Sequence, residues 1–185
     1  AWTMYIMLIN GAIATLRANA SSEIQKLFLP ELIEGRAGAT MCLTEAHCGS
    51  DLGLIRTKAV PTDDGNYLIS GTKIFISCGE QDFTENIFHL VLARVAGSPE
   101  GVKGISLFIV PKYWIDKDVR EDRINGVNCS AIERKMGIHG NPTCVMNFDN
   151  AQGFLVGAIN KGLQNMFTFV NESRLGVAQQ AQGAI

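Results

Sequence analysis

Met41-Cys42-Leu43-Thr44-Glu45-Ala46-His47-Cys48-Gly49-Ser50-Asp51 is the stretch whose reading decides what this chain is. Thr40 to Thr44 predicts a short strand, and the small residues after Glu45 predict a loop. Gly49 has no Cβ and lets backbone N–H groups come close to an anion, while Ser50 adds a hydroxyl donor. Taken alone the pattern is weak, because an ordinary strand-to-loop turn capped by Asp51 accounts for it more readily.

Outward from this block the hydrophobic period changes twice. Upstream, Trp2 to Ala18 has no Pro and one interior Gly, and predicts a helix. Asn19-Ala20-Ser21-Ser22-Glu23 is a helix-start signal with Ser22 or Ser21 as N-cap. The helix it opens, Glu23 to Glu34, should break or kink at Pro30 and end at Gly35 in a left-handed turn. From Ala37 the chain turns to short runs rich in Ile, Val and Phe. Strands are predicted at Thr40–Thr44, Leu54–Val60, Tyr67–Ser70, Lys73–Cys78, Ile87–Val95, Ile105–Pro111, Arg134–Ile138 and Thr143–Phe148. Asp63-Asp64-Gly65-Asn66 marks a hairpin between the second and third of them. Tyr113 to Gly126 is polar and charged and reads as a surface excursion. After Gly162, helical spacing returns through Met166, Phe167, Val170 and Leu175 towards Ile185. The fold class is α+β, with an antiparallel β-barrel or sandwich flanked by helices.

A net charge of −2 and a pI near 5.9 provide no basic face, which argues against a nucleic-acid partner. Cys42, Cys48, Cys78, Cys129 and Cys144 are odd in number and lack C-x-x-C spacing. Buried thiols in a reducing compartment fit them better than a disulfide framework. Cys48 beside His47 lacks the usual ligand spacing, so no metal is assigned. The uncharged stretch Ala1 to Leu16 is interrupted by Thr3, Asn10, Gly11 and Thr15 and falls short of the roughly 20 apolar residues of a spanning helix, so no membrane span is predicted. There is no initiator Met and the last residues read as mid-helix, so the chain reads as an internal piece of a longer protein.

At Leu43 to Asp51 the sequence resembles the acyl-CoA dehydrogenase family, whose pattern there is Leu-Thr-Glu-Pro-Gly-Ala-Gly-Ser-Asp. Leu43, Thr44, Glu45, Gly49, Ser50 and Asp51 match; Ala46, His47 and Cys48 depart from it. Gly71-Thr-Lys73-Ile-Phe75-Ile-Ser77 is similar to the family's Gly-x-Lys-x-Trp-Ile-Thr/Ser strand. Lys103 to Phe108 resembles its Lys-Gly-Ile-Ser-Ala-Phe strand, and Arg134 to His139 its Lys-Leu-Gly-Ile-Arg segment. Gly157 and Lys161-Gly162-Leu163 precede a helix containing Arg174, as in the family. Five such segments, in order along nearly the whole chain, exceed chance. His47, Ile76 and the Tyr113 to Gly126 excursion look like the larger bacterial branch with methylthiopropanoyl-CoA and broad-chain dehydrogenases.

The resemblance implies an end of an N-terminal helical domain at 1–36, a middle β-barrel domain at 37–150 and the start of a C-terminal helical domain at 151–185. It implies FAD as cofactor, with Met41, Leu43, Thr44, Gly49, Ser50, Phe75, Ile76 and Ser77 around it. Leu43 N–H and Thr44 would meet the pyrimidine edge, and Ser77 would bond near N5 and O4. Phe75, where many members have Trp, would pack on the ring, and Ser50 would lie by the pyrophosphate and the substrate's pantetheine arm. Ser50, Asn171 and Arg174 would contact an acyl-CoA thioester that loses an α proton to a carboxylate and a β hydride to the flavin. Some branches place the carboxylate where Ser173 stands, so no catalytic base is assigned within this chain. The partners implied are acyl-CoA, electron-transfer flavoprotein and further copies of the full-length chain. The location implied is the bacterial cytoplasm, or the mitochondrion in a eukaryote. An acyl-CoA oxidase and a non-catalytic barrel binding module are the competing readings.

Overall fold

The computed structural model describes residues 2–116 and 119–183. Helix α1 (Trp2–Asn19) turns Tyr5, Leu8, Ala12, Thr15 and Leu16 inward. The Thr15 hydroxyl, buried with them, donates to the Gly11 carbonyl at 2.7 Å. Helix α2 (Ser22–Ile33) is capped by Ser21, whose Oγ accepts from the Ile24 N–H at 3.3 Å. The break considered at Pro30 does not occur, for the helix runs through it to Ile33. Pro30 lies in the last turn, so its missing N–H and the crowding of its ring against the carbonyl four residues back fall at the end of the helix, with only one turn left to follow. Gly35 follows with φ +73°, the left-handed stop its position predicts.

The strands are β1 (Ala37–Cys42), β2 (Lys58–Pro61), β3 (Tyr67–Ser77), β4 (Asn86–Val95), β5 (Ile105–Pro111), β8 (Val127–Ile132) and β9 (Thr143–Leu155), with β6 (Tyr113–Asp116) and β7 (Val119–Ile124) apart from them. The first seven form one sheet, in which β4, β2, β3, β9 and β5 bond in succession and β5 returns to β4. The result is a closed ring, with β1 added on β4 and β8 added on β9. Pairing is antiparallel except where β1 and β2 lie parallel to β4. The β2–β3 hairpin turns through Asp63-Asp64-Gly65-Asn66, with Pro61 opposite Tyr67 and Gly65 at φ +83°.

Strand alternation divides the interior in two. From β4, Phe88, Leu90 and Leu92 face the helices, while Val91 and Ala93 face into the ring. From β5, Leu107 and Ile109 go one way, Phe108 and Val110 the other. This explains why both strands read as continuous apolar runs: each is covered on both faces. The helix-side core centres on Phe28, whose ring meets those of Phe88 and Phe154 edge-on at 4.9 and 5.2 Å. The ring interior holds Cys42, Ile69, Ile76, Met146 and Phe148.

Several expected elements change. Leu54–Val60 pairs only from Lys58 onward; Leu52–Leu54 is a 3-10 turn. The carbonyls of Gly53 and Ile55 are taken by the Arg94 guanidinium rather than by a neighbouring strand. Arg134–Ile138 is not a strand: Ile138 has φ +54°, and His139 Nε2 donates to the Lys135 carbonyl at 2.9 Å, closing a local loop. The strand in that region is β8, one turn earlier. Tyr67–Ser70 and Lys73–Cys78 are parts of one strand, β3, carried past two irregularities against β9. Tyr113 to Gly126 folds into the β6–β7 ribbon, outside the ring as its polarity predicts, and residues 117–118 lie outside the described residues. Buried Asn125 moors the ribbon, donating to the carbonyls of Pro111 and Gln152 at 2.8 and 2.9 Å.

Helix α3 (Gly162–Gln182) starts where Gly162 presses on β5 and packs along α1, with Phe169 in the space Gly11 leaves. Cys42, Cys48, Cys78 and Cys144 are buried, and all five thiols are free. No described helix is long and apolar enough to cross a membrane.

Candidate functional site

The loop after β1 doubles back on itself. Glu45 and Cys48 exchange backbone hydrogen bonds of 2.9 and 3.0 Å around Ala46-His47. Gly49 is thereby laid over Thr44, so close that a Cβ there would lie 3.1 Å from Thr44 Cγ2. The carbonyl of Thr44 accepts from the Ile74 N–H at 2.9 Å, which joins the loop to β3. Thr44 is thereby tied to β3 one residue before Phe75.

Between Lys73 and Ile76 the register of β3 against β9 slips. Phe75 sits in this bulge with φ +61° and is 59% exposed. A large aromatic side chain in left-handed backbone costs roughly 1–2 kcal/mol, and here nothing on the protein side repays it with burial. Strain of this kind collects where a side chain is being aimed at something. Ser77 is half-buried two residues on, and Cys78 is again left-handed at φ +59°. Ile76 points the opposite way, 2% exposed in the ring interior, and leaves only its backbone to this corner. Met41, at the end of β1, is half-buried, and Gly49 and Ser50 are exposed.

Beneath the corner lies a pair that the sequence motifs contain but do not explain. Lys73 is fully buried, and its Nζ donates to the Leu43 carbonyl and to Glu45 Oε1, both at 2.9 Å. Glu45 also accepts from the Arg56 N–H (2.7 Å), the Thr57 N–H (3.0 Å) and the Thr57 hydroxyl (2.6 Å). Burial pushes the Glu45 carboxyl up, but Lys73, Thr57 and the Arg56 N–H outweigh it and hold it below the usual range. Burial pulls Lys73 down, partly offset by Glu45. With both its oxygens engaged, Glu45 is a structural carboxylate and not a free base.

His47, Cys48 and Glu45 do bring three donor types within 4.8 Å. However, His47 Nε2 donates to the Leu54 carbonyl at 2.9 Å, burial raises the Cys48 thiol, and the Glu45 oxygens are already bonded. The trio is therefore organised as loop stitching. Arg94, a second residue without a sequence signal, donates to the carbonyls of Gly53, Ile55, Pro99 and Gly101 and fastens two loops beside Asp51.

On α3, Asn171, Glu172 and Arg174 are exposed, and the Arg174 guanidinium lies 5.9 Å from the Phe167 ring centre. Ser173 is buried, and its hydroxyl has no partner among the described residues. Glu172 lines a groove of about 660 Å³ between α1 and α3, along with Ile6, Met7, Leu175 and Gly176. The Cys78 thiol at the end of β3 donates to Asn141 Oδ1 at 2.8 Å.

Residues 40–151 match the family model for the acyl-CoA dehydrogenase middle domain. A 3-methylmercaptopropionyl-CoA dehydrogenase of Ruegeria pomeroyi is 48% identical over 94% of this chain and 30% of its own length. A butyryl-CoA dehydrogenase of Syntrophomonas wolfei is 41% identical over 98% of this chain and 31% of its own. The chain therefore spans about a third of the length of these relatives. The solved butyryl-CoA dehydrogenase of Megasphaera elsdenii superimposes with a TM-score of 0.77 at 27% identity, over 98% of this chain and 43% of that one.

Proposed function

Because the chain belongs to the acyl-CoA dehydrogenase family, we propose that its Thr44–Phe75–Ser77 corner holds the isoalloxazine of FAD and that the full-length protein removes hydrogen from the α and β carbons of an acyl-CoA thioester. The observation that carries this is Phe75. An exposed aromatic held in strained backbone, next to a loop fixed by a buried ion pair, is what a flat ligand needs as a wall.

FAD, when bound, supplies a two-electron acceptor. The chain's part is to position it. Leu43 N–H and the Thr44 hydroxyl donate to the pyrimidine edge, Phe75 packs on the ring, and Ser77 bonds the region near N5. Met41 and the Ile76 backbone complete the wall, and Gly49 and Ser50 approach the pyrophosphate. Ser50, Asn171 and Arg174 meet the CoA portion. Glu45 is fully bonded, Ser173 has no carboxylate, and Glu172 is one residue off, roughly 100° around the helix, so on this reading the base is supplied by a part of the full-length protein that this chain does not span. On this reading the segments 1–36 and 156–185 belong to helical domains on either side of the ring, whose last strand β9 runs past the 37–150 bounds to Leu155. Electrons pass to electron-transfer flavoprotein, and the full-length protein self-assembles.

Anaerobic titration of the full-length protein with acyl-CoA thioesters tests this. Bound FAD that bleaches on substrate addition is expected, with slow recovery in air. A purified protein that never retains FAD would overturn the reading, and rapid recovery in air would make it an oxidase.

A further inference from the structure

We propose that Lys73 is the positioning residue for the flavin-facing Leu43–Thr44 peptide, a proposal that rests on the flavin reading above. The peptide plane is rigid, and its C=O and N–H point in opposite directions. By holding the Leu43 carbonyl 2.9 Å from its ammonium, Lys73 fixes the plane of the peptide that leads into Thr44, and with it the direction of the side chain whose hydroxyl the flavin reading places at the pyrimidine edge. The carbonyl of Thr44 is in turn held by the Ile74 N–H. Thr44 is thus fixed from both sides, once by β3 backbone and once by a β3 side chain.

Lys73 is a costly choice for this task. A fully buried ammonium requires complete pairing, and removing one partner of such a pair is far more damaging than never having it. An apolar residue would fill the same space but would leave the Leu43 carbonyl buried without a donor. The Glu45 carboxylate satisfies the ammonium while its second oxygen collects the Arg56 N–H. Two loop segments and β3 therefore share one polar network, with Leu43 O as the terminus nearest the proposed flavin edge. Such a network fixes one conformation rather than adding net stability.

The test is a double-mutant cycle in the full-length protein, reading FAD dissociation and the visible spectrum of the bound flavin. Lys73→Met is made in a Glu45→Gln background, so that no unpaired charge is left inside. FAD affinity is expected to fall about tenfold to hundredfold, with the spectrum displaced as in Thr44→Ala. Adding Thr44→Ala to the pair should then change little further. Lys73→Gln in the same background keeps a donor without charge and should recover part of the wild-type spectrum. It also serves if the Met variant does not fold. Effects of Thr44→Ala and Lys73→Met that simply multiply would overturn the proposal, as would equal loss in the Gln and Met variants. A wild-type protein without FAD would instead fail the underlying flavin reading.

Discussion

The imidazole Nδ1 of His89 lies 2.8 Å from the Thr40 hydroxyl, directly across the parallel β1–β4 register. Nε2 has no partner among the described residues, and the ring is fully buried. Burial, aided by the charge of Lys112, pulls the His89 pKa down to about 3. A depressed base is protonated more readily in the unfolded chain, so the stability contributed by neutral His89 is complete above about pH 6.5 and is lost as pH falls towards 3. Between pH 7 and pH 5 the loss should be on the order of 2 kcal/mol. Chemical denaturation of wild type and His89→Gln at both pH values measures it. A variant with the same drop as wild type would mean that His89 is not the group responsible.

Phe75→Gly separates stability from function. The substitution removes left-handed strain worth roughly 1–2 kcal/mol and adds a glycine entropy cost of about 0.5–1 kcal/mol. The melting temperature should stay level or rise slightly, while FAD retention in the full-length protein drops. A clear fall in melting temperature would show Phe75 to be a packing residue.

Gly162→Ala should destabilise by about 1–3 kcal/mol, because its Cβ would lie 2.2 Å from the backbone carbon of Ser106, which cannot move aside without β5. Gly137→Ala, with nothing within 4 Å of the new Cβ, is the matched control and should stay within about 0.5 kcal/mol.

Arg94→Met should loosen the Gly53–Ile55 and Pro99–Gly101 segments together, since one guanidinium holds both. Limited proteolysis should cut near Ser98 to Val102 faster in the variant, with circular dichroism unchanged. Equal cleavage rates in both proteins would remove Arg94 as the fastener.

What could be read from the sequence was whatever repeats with a period or stands in a motif. The two changes of period at Ala37 and Gly162 located the helices, and Asp63 to Asn66 located the hairpin. Strand β8 escaped because Asn128, Ser130 and the exposed Ile132 give it only one well-buried residue, Val127, and no clean alternation. Arg134 to Ile138 attracted a strand assignment because Met136 and Ile138 look apolar, yet both are exposed on a loop. The grouping of Thr44 with Phe75 came from resemblance. The role of Lys73 had no local signal, because a lysine at 0% exposure is defined by partners 28 and 30 positions away.

The closing strand of the ring is also the last one made. Strand β9 bonds to β3, β5 and β8. During vectorial synthesis β3 and β5 therefore leave the ribosome with open edges, and they keep them until Leu155 has emerged. Open strand edges are templates for mispairing with other chains. Substitutions that delay β9 docking should consequently reduce the soluble yield of newly made protein in cells far more than they lower the melting point of protein already folded.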